Sequence, residues 1–323
     1  MYSTEHNVTH LKPDCSTNTV CGKHLFHPKP TDGNQFETGM RCRGSFKRSL
    51  PGKPLISVIT TVLNAELTLE RAICSVLCQT YNNIEYIVVD AESTDRSMDI
   101  AMKYEDVIDY IVSARDDGLY EGMNKGIELA QGDYIIIINA DDWYVSECIE
   151  TLTRHATEKS LDFVSALAVE TDAHGKIIRH IPRIPLNNSI RFRMTLRHET
   201  MLISRQLYNS VGLYDASYRI IADLKFTQRL YRLTQNFTQL NEYLMHFRKI
   251  GIAHKVTDRL LEERKKLLVE NFGFLDGEDV KLLAIQYSKN RIDDYRRLAS
   301  KYSGSQPFVD ALRDFLELHG AGL

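Results

Sequence analysis

Four apolar segments separated by stretches of helical spacing constrain this chain more than any other feature. Leu55 to Leu63 is apolar and β-branched, bounded by Pro54 and Asn64. Ile84 to Val89 runs into Asp90, Val107 to Val112 forms a third run, and Tyr134 to Ile138 runs into Asn139. Between them Leu69, Ala72, Ile73, Val76 and Leu77 recur at helical spacing, with Thr68 as an N-cap. Ser93 or Thr94 caps a second expected helix reaching about Tyr104, and Tyr120 to Ala130 reads as a third. Strands that are apolar along their whole length are buried on both faces, which implies a mainly parallel sheet covered by helices. Ligands of such sheets bind beyond the carboxyl ends of the strands. Thr60, Thr61, Asp90, Asp116, Asp117, Asp141 and Asp142 all fall at those ends.

After Trp143 the pattern is more mixed. Asp162 to Val169, Lys176 to Ile181 and Met201 to Ser204 read as strands, Asp223 to Leu233 as a helix, and Phe237 to Phe247 as extended. From about Asp258 the tail is charged and helical, with Leu260, Leu267, Leu268, Leu282, Leu283, Ile285 and Leu298 as its apolar face. The expected division is an irregular extension over 1–52, a main α/β domain over 53–251 and a helical appendage over 252–323. Arg41, Arg43, Lys47, Arg48 and Lys53 form a basic lead-in to the first strand. A solvated segment is the expectation there, with an acidic ligand or membrane surface as the alternative.

Composition narrows the function. The 323 residues carry a net charge of −3, too weakly charged for a nucleic-acid binder held by a general basic field. Met1 to His10 is polar, without the apolar core of a secretory leader, and the longest apolar runs are strand-sized. A cytoplasmic protein with free thiols at Cys15, Cys21, Cys42, Cys74, Cys78 and Cys148 is expected. Cys21, His24, His27 and Cys42 match no standard zinc spacing, so a loose polar leader is expected rather than a metal knot.

The chemistry is concentrated in three places. Ile135 to Ile138 leads through Asn139 and Ala140 into Asp141 and Asp142, two adjacent carboxylates. Mg²⁺ or Mn²⁺ would balance them and bridge a diphosphate, whereas a simpler reading is a turn with a helix N-cap. Asp90 either accepts from a base or ribose or caps the next helix. Asp116 to Gly126 holds three glycines, a lysine and an asparagine at a helix start, where phosphate can bind, yet its spacing fits neither a Walker loop nor a dinucleotide fingerprint.

Taken in order, Ser57 to Asn64, Val89 to Asp95, Asp117 to Gly126 and Asn139 to Asp142 resemble the motifs of family 2 glycosyltransferases. The loop and the lead-in from Gly39 to Pro54 resemble the branch that builds bacterial O-antigens, capsules and exopolysaccharides. The resemblance covers about Gly39 to Gly251. It implies a GT-A fold and inverting transfer from a nucleotide-sugar, with UDP favoured, onto a glycan or lipid-linked saccharide, with peripheral association at the inner face of the membrane. It places Thr61, Asn64, Asp90, Asp117, Asn124, Lys125 and Asp141 on the donor, Asp142 and Asp141 on Mn²⁺ or Mg²⁺, and His198 near the diphosphate or acceptor. Asp223 matches the catalytic base, which takes the acceptor proton as its oxygen attacks C1. Asn139 stands where the family often has Asp, so the metal rests more on the two following carboxylates, and Ala91 stands where Gly is frequent.

Arg191, Arg193 and Arg197 alternate with Phe192, Met194 and Leu196. They form either a grip on the diphosphate of a lipid-linked acceptor or a surface strand with an apolar underside. Two other functions fit the residues less well. A nucleotidyltransferase wants a Gly- and Lys-bearing loop after the first strand, which Thr61 to Leu69 lacks. An inactive scaffold is disfavoured by the joint presence of Asp90, Asp141, Asp142 and Asp223.

Overall fold

The computed structural model describes residues 8–9, 36–249, 257–284, 292–320 and 322. The strands are β1 (Val8–Thr9), β2 (Phe36–Thr38), β3 (Phe46–Lys47), β4 (Ile56–Val62), β5 (Ile84–Asp90), β6 (Tyr110–Ser113) and β7 (Tyr134–Asn139), then β8 (Trp143–Tyr144), β9 (Phe163–Thr171), β10 (Ile177–His180), β11 (Leu202–Ser204) and β12 (Phe237–Arg248). The helices are α1 (Leu69–Leu77), α2 (Ser97–Met102), α3 (Leu119–Leu129), α4 (Cys148–Glu158), α5 (Arg205–Val211) and α6 (Ala222–Leu233), followed by α7 (Asp258–Asn271), α8 (Gly277–Ala284), α9 (Ile292–Lys301) and α10 (Gln306–Glu317).

The main sheet runs β2-β6-β5-β4-β7-β11-β9-β12-β8, with β10 paired to β9. Neighbours among β6, β5, β4 and β7 are parallel, as are β9 and β12, while β11 is antiparallel to both of its neighbours. The expected mainly parallel sheet is therefore present. All seven residues of β4 and all seven of β5 are buried. Alternate residues feed opposite layers: Val58, Ile136 and Ile138 pack with α1 and α4, whereas Ile59, Ile135 and Ile137 pack with α3 and α6. Glycine lets α3 approach β4 closely, since a Cβ at Gly126 would run into the Ile59 side chain.

Residues 36–52, within the extension over 1–52 expected to be irregular, instead pack on this sheet. Strand β2 extends the sheet antiparallel to β6. The Arg41 guanidinium pairs with Glu85 on β5 and donates to the Leu129 carbonyl, and Lys47 reaches Asp109 at 2.7 Å and the Ile84 carbonyl at 2.6 Å. Lys47 is 2% exposed. Arg41 and Lys47 thus neutralise the buried acids Glu85 and Asp109 rather than facing water. Arg43 fits the solvated expectation better, with a half-exposed ion pair to Asp106.

Helix α2 starts at Ser97 rather than at Ser93 or Thr94. The physical reason is competition. Ser93 donates its backbone N–H to Asp90 and accepts from the Asn64 N–H, and Thr94 donates to the Asn64 side chain. Thr68 precedes α1, but its hydroxyl bonds back to the Ala65 carbonyl instead of capping.

Helices α7 to α10 have a core of their own, in which Phe272, Phe308 and Phe315 surround Phe192 of the main domain. Among the described residues no helix is long and apolar enough to cross a membrane. Cys42, Cys74, Cys78 and Cys148 are free thiols. Cys15 and the zinc candidates Cys21, His24 and His27 lie outside the described residues.

Candidate active site

The chain leaves β4 for β5 and β6 on one side, then returns to place β7 on the other side of β4. That reversal makes the crevice beyond the carboxyl ends of β4 and β7 the topological switch point, where open α/β sheets bind ligands. Register aligns the ends: Thr61 lies opposite Asn139, Val62 opposite Asp90, and Asp90 opposite Ser113.

On the β4–β5–β6 side, Asp90 is fully buried. Its Oδ2 accepts from the Ser113 hydroxyl at 2.6 Å and the Ser93 N–H at 3.1 Å. Its Oδ1 and the Thr61 hydroxyl oxygen are buried without a partner. Leaving such groups unmet costs about 1–3 kcal/mol each, so both are poised for a hydrogen-bonding ligand. Asn64, in the left-handed region at φ 49°, spans the two loops by accepting from Thr94.

Asp117, Asn124 and Lys125, expected on the donor, lie just before α3 or within it and are engaged by other residues. Asn124 donates to the Tyr214 carbonyl at 2.9 Å and accepts the Tyr214 N–H at 2.8 Å, so both ends of its amide hold structure together. Lys125 donates to the Arg115 carbonyl, and Asp117 is exposed with its N–H held by Glu121. Among the described residues no hydrogen bond joins these three to Asp90 or Asp141. Asp116 is better placed than Asp117. A Cβ on Gly122 would lie 2.9 Å from Asp116 Oδ2 and 3.4 Å from the Thr61 methyl, so the two side chains share one space. Burial raises the Asp116 carboxyl above its usual range.

Beyond β7 the acids cluster. Asp142 is 1% exposed; its Oδ1 accepts the Arg248 N–H at 2.9 Å and its Oδ2 faces the Asn139 amide at 3.4 Å. The same amide donates to Glu199 at 3.2 Å. Asp141 is half-buried and accepts no hydrogen bond from another described residue. Burial, then Glu199 and Asp141, drive the Asp142 carboxyl well above the normal range; burial also raises Asp141, with Glu199 adding and Arg248 opposing. Asp141 and Asp142 crowd Glu199, and among the described residues neither aspartate forms an ion pair, the pattern left by a missing positive charge. No preformed cage of three or more His, Cys, Asp or Glu exists among the described residues. That donor set fits Mg²⁺ or Mn²⁺, which take one or two carboxylates and share the rest of their shell with water and phosphate. Asp141 is the open carboxylate; Asp142 has both oxygens engaged.

The same chain of contacts continues to α6. His198 Nδ1 lies 3.4 Å from Glu199 and 3.6 Å from Asp223 Oδ2, and its Nε2 is buried without a partner. Asp223 Oδ1 accepts from the Tyr120 hydroxyl at 3.0 Å and the Leu224 N–H at 2.8 Å, leaving Oδ2 open beside His198. Burial works against ionisation of Asp223, but His198 with the Leu224 and Tyr120 donors outweighs it and holds the carboxyl below the usual range. Burial likewise disfavours an imidazolium at His198, yet Glu199 and Asp223 outweigh it and lift His198 above its ordinary value.

Sequence reasoning did not single out Glu199, Tyr120, Ser113 or Glu263. Glu199 adjoins His198 and carried that much signal. Glu263 carried none: from α7 its carboxylate accepts the N–H groups of Arg219, Ile220 and Ile221 at 2.7, 2.9 and 3.2 Å, fixing the turn that delivers Asp223.

Residues 57–221 match the family model described as Glycosyl transferase family 2. The chain is 27% identical over 186 residues to the PGL/p-HBAD biosynthesis glycosyltransferase of Mycobacterium tuberculosis (strain ATCC 25177 / H37Ra), covering 55% of this chain and 70% of the relative. It is 28% identical over 273 residues to the glycosyltransferase GlyG of Streptococcus pneumoniae serotype 4, covering 75% and 88%. Among solved structures, S. aureus TarS 1-349 in complex with UDP-GlcNAc superposes with a TM-score of 0.55 at 16% identity, covering 81% of each chain. The mannosyltransferase PcManGT from Pyrobaculum calidifontis, in complex with GDP-Man and Mn2+, superposes with a TM-score of 0.51 at 16% identity, covering 84% and 76%. At that identity these likenesses speak for the GT-A fold alone.

Proposed function

Given that the chain belongs to glycosyl transferase family 2, we propose that it transfers a hexose from a UDP-sugar, with inversion, onto a glycan or lipid-linked saccharide during surface polysaccharide synthesis. The observation that carries this reading is the open Asp223 Oδ2, joined through His198, Glu199 and Asn139 to the Asp141–Asp142 pair. In that arrangement Asp90 and Thr61 accept from the nucleoside, and Asn64 holds the loop around it. Asp141 is the principal ligand of Mn²⁺ or Mg²⁺, with Asp142 buried behind it. When bound, the cation supplies positive charge to the departing diphosphate.

The residues of this chain then do the rest. Asp223 Oδ2 takes the proton of the acceptor hydroxyl as that oxygen attacks the anomeric carbon from the face opposite the nucleotide. Direct displacement of this kind needs no protein nucleophile and inverts the centre. His198 and Tyr120 orient the carboxylate and keep it ionised. Lys125 and Asn124 act by shaping the α3 loop rather than by touching the donor. The catalytic unit in this reading is 36–249, with 257–320 bracing Asp223 through Glu263. The support for surface polysaccharide synthesis is the similarity to the mycobacterial PGL/p-HBAD biosynthesis glycosyltransferase, and the support for UDP is the neighbour solved with UDP-GlcNAc. A cytoplasmic protein resting on the inner membrane face suits such an acceptor.

The test is turnover. The full chain, Mn²⁺ and a panel of UDP-hexoses are incubated with alkyl glycosides, UDP release is followed, and the product anomer is read by NMR. UDP release with a β-linked product from an α-linked donor is expected. Retention of the α configuration, or no binding of any nucleotide-sugar, contradicts the proposal.

A further inference from the structure

A cavity of about 250 Å³ lies on the opposite side of β7 from Asp90 and Thr61, between β9, β10 and the segment that leads into His198. Its walls are mixed. Leu167, Ile181 and Leu196 give apolar surface, while Arg179, Arg193 and Arg197 bring guanidinium groups to it. The three arginines are not equivalent. Arg179 is spent on Glu170 at 2.7 Å. Arg193 and Arg197 are half-buried, and neither forms an ion pair among the described residues. Arg193 meets the His319 ring nitrogen at 3.3 Å, and Arg197 stacks 4.2 Å over the Phe247 ring. Arg191, third member of the sequence triplet, sits over Phe272 and does not line the cavity. Thr195, 6% exposed, also lines it, and its hydroxyl oxygen is buried without a partner.

Two half-buried cations and an unmet hydroxyl around one cavity ask for an anion with oxygen acceptors. Burial lowers the Arg193 pKa, as expected of a guanidinium lacking a counter-charge. The size is informative. At about 250 Å³ the cavity falls just below the roughly 300–1,000 Å³ of pockets that enclose drug-sized ligands. It suits one charged headgroup with a short apolar neck and excludes a whole oligosaccharide. Its position is informative too. Arg197, on the cavity wall, is followed directly by His198, whose imidazole faces Asp223, so one short segment of chain serves both the cavity and the proposed base.

We propose that this cavity binds a phosphate ester carried by the acceptor, gripped by Arg193 and Arg197 with Thr195 as an additional contact. The proposal rests on the reading of Asp223 as the acceptor-side base. It makes the acceptor an amphipathic phosphoglycoside rather than a neutral glycan.

Calorimetry on the full chain with Mn²⁺ and saturating UDP tests it, with decyl phosphate below its micellar concentration and inorganic phosphate as separate probes. Saturating UDP removes the donor site from the competition, and UDP binding itself, measured first on each sample, reports on the donor reading independently. Decyl phosphate is expected to bind at least about tenfold more tightly than inorganic phosphate. Arg193→Gln is expected to weaken decyl phosphate by roughly tenfold or more, the scale of one hydrogen bond to a charged group. Arg197→Gln is the second variant should Arg193→Gln fail to fold, and the same loss is expected. Equal affinity for the two probes overturns the headgroup assignment, because it marks a site for free anions. A UDP-binding protein that ignores decyl phosphate, or variants that bind it as wild type does, overturns the cavity assignment while leaving the donor reading intact.

Discussion

Asp223→Asn will lower sugar transfer by about 10²–10⁴-fold, the usual contribution of a positioned base, and will leave UDP affinity unchanged. The substitution is nearly isosteric. Asparagine keeps a carbonyl oxygen for the Tyr120 hydroxyl and the Leu224 N–H, which now meet Oδ1 at 3.0 and 2.8 Å. What it loses is the ability to take a proton at the second position, so the deficit falls on kcat. The pH profile separates this role from a structural one. Asp223 is held below the ordinary carboxylate range, so wild-type transfer keeps its base ionised through neutral pH and loses it only under more acidic conditions. The residual activity of the variant lacks that acid limb. Transfer at wild-type rates in Asp223→Asn places the base elsewhere.

Lys47→Ala will destabilise the protein by about 3–5 kcal/mol, the cost of stranding one partner of a buried ion pair. Asp109 Oδ2 accepts from Lys47 at 2.7 Å and from the Tyr86 N–H at 2.8 Å, and both charged side chains are 1% exposed. Burial already pushes the Asp109 carboxyl up, with Lys47 opposing and Glu85 adding. Without the ammonium the acid either stays charged in a dry site or takes up a proton. Urea unfolding at pH 7 reads the effect as a lower midpoint with an unchanged slope. The double variant Lys47→Met with Asp109→Leu regains most of the loss, because it leaves no uncompensated charge. A shift under about 1 kcal/mol, the range of exposed pairs, means that residues 36–53 do not belong to the folding unit.

The contrast between these two residues shows what could be read in advance. Strands β4, β5 and β7 were legible because burial on both faces writes an unbroken apolar run, and their carboxyl ends followed from that. Asp90 and Asp141 were legible as candidates for the same reason, whereas Asp223, at the start of α6, came only through the family resemblance. The lead-in was not legible. Arg41 and Lys47 look like surface charges, and the acids that pair with them, Glu85 on β5 and Asp109 just before β6, come 44 and 62 residues later. No local pattern announces such a pairing.

Roles inside a motif were equally hidden. Asp141 and Asp142 are adjacent and chemically identical, yet the Arg248 N–H, 106 residues away, occupies an oxygen of Asp142 and leaves Asp141 open. Asn124 fits the donor loop by its position, but the Tyr214 backbone claims both ends of its amide. The start of α2 slipped to Ser97 because Asn64 and Asp90 had already engaged Ser93 and Thr94. Most of these differences come from a partner distant in sequence that claims a polar group no local pattern assigns to it.

The central claim is that Asp141 holds a divalent ion which in turn holds the donor diphosphate. The most direct measurement is calorimetric titration of UDP into wild type and Asp141→Asn, each with Mn²⁺ and again with EDTA. We expect wild type to lose at least about tenfold in affinity when Mn²⁺ is removed, and Asp141→Asn to bind with that weaker affinity under both conditions. UDP binding of equal strength in all four titrations would contradict the account.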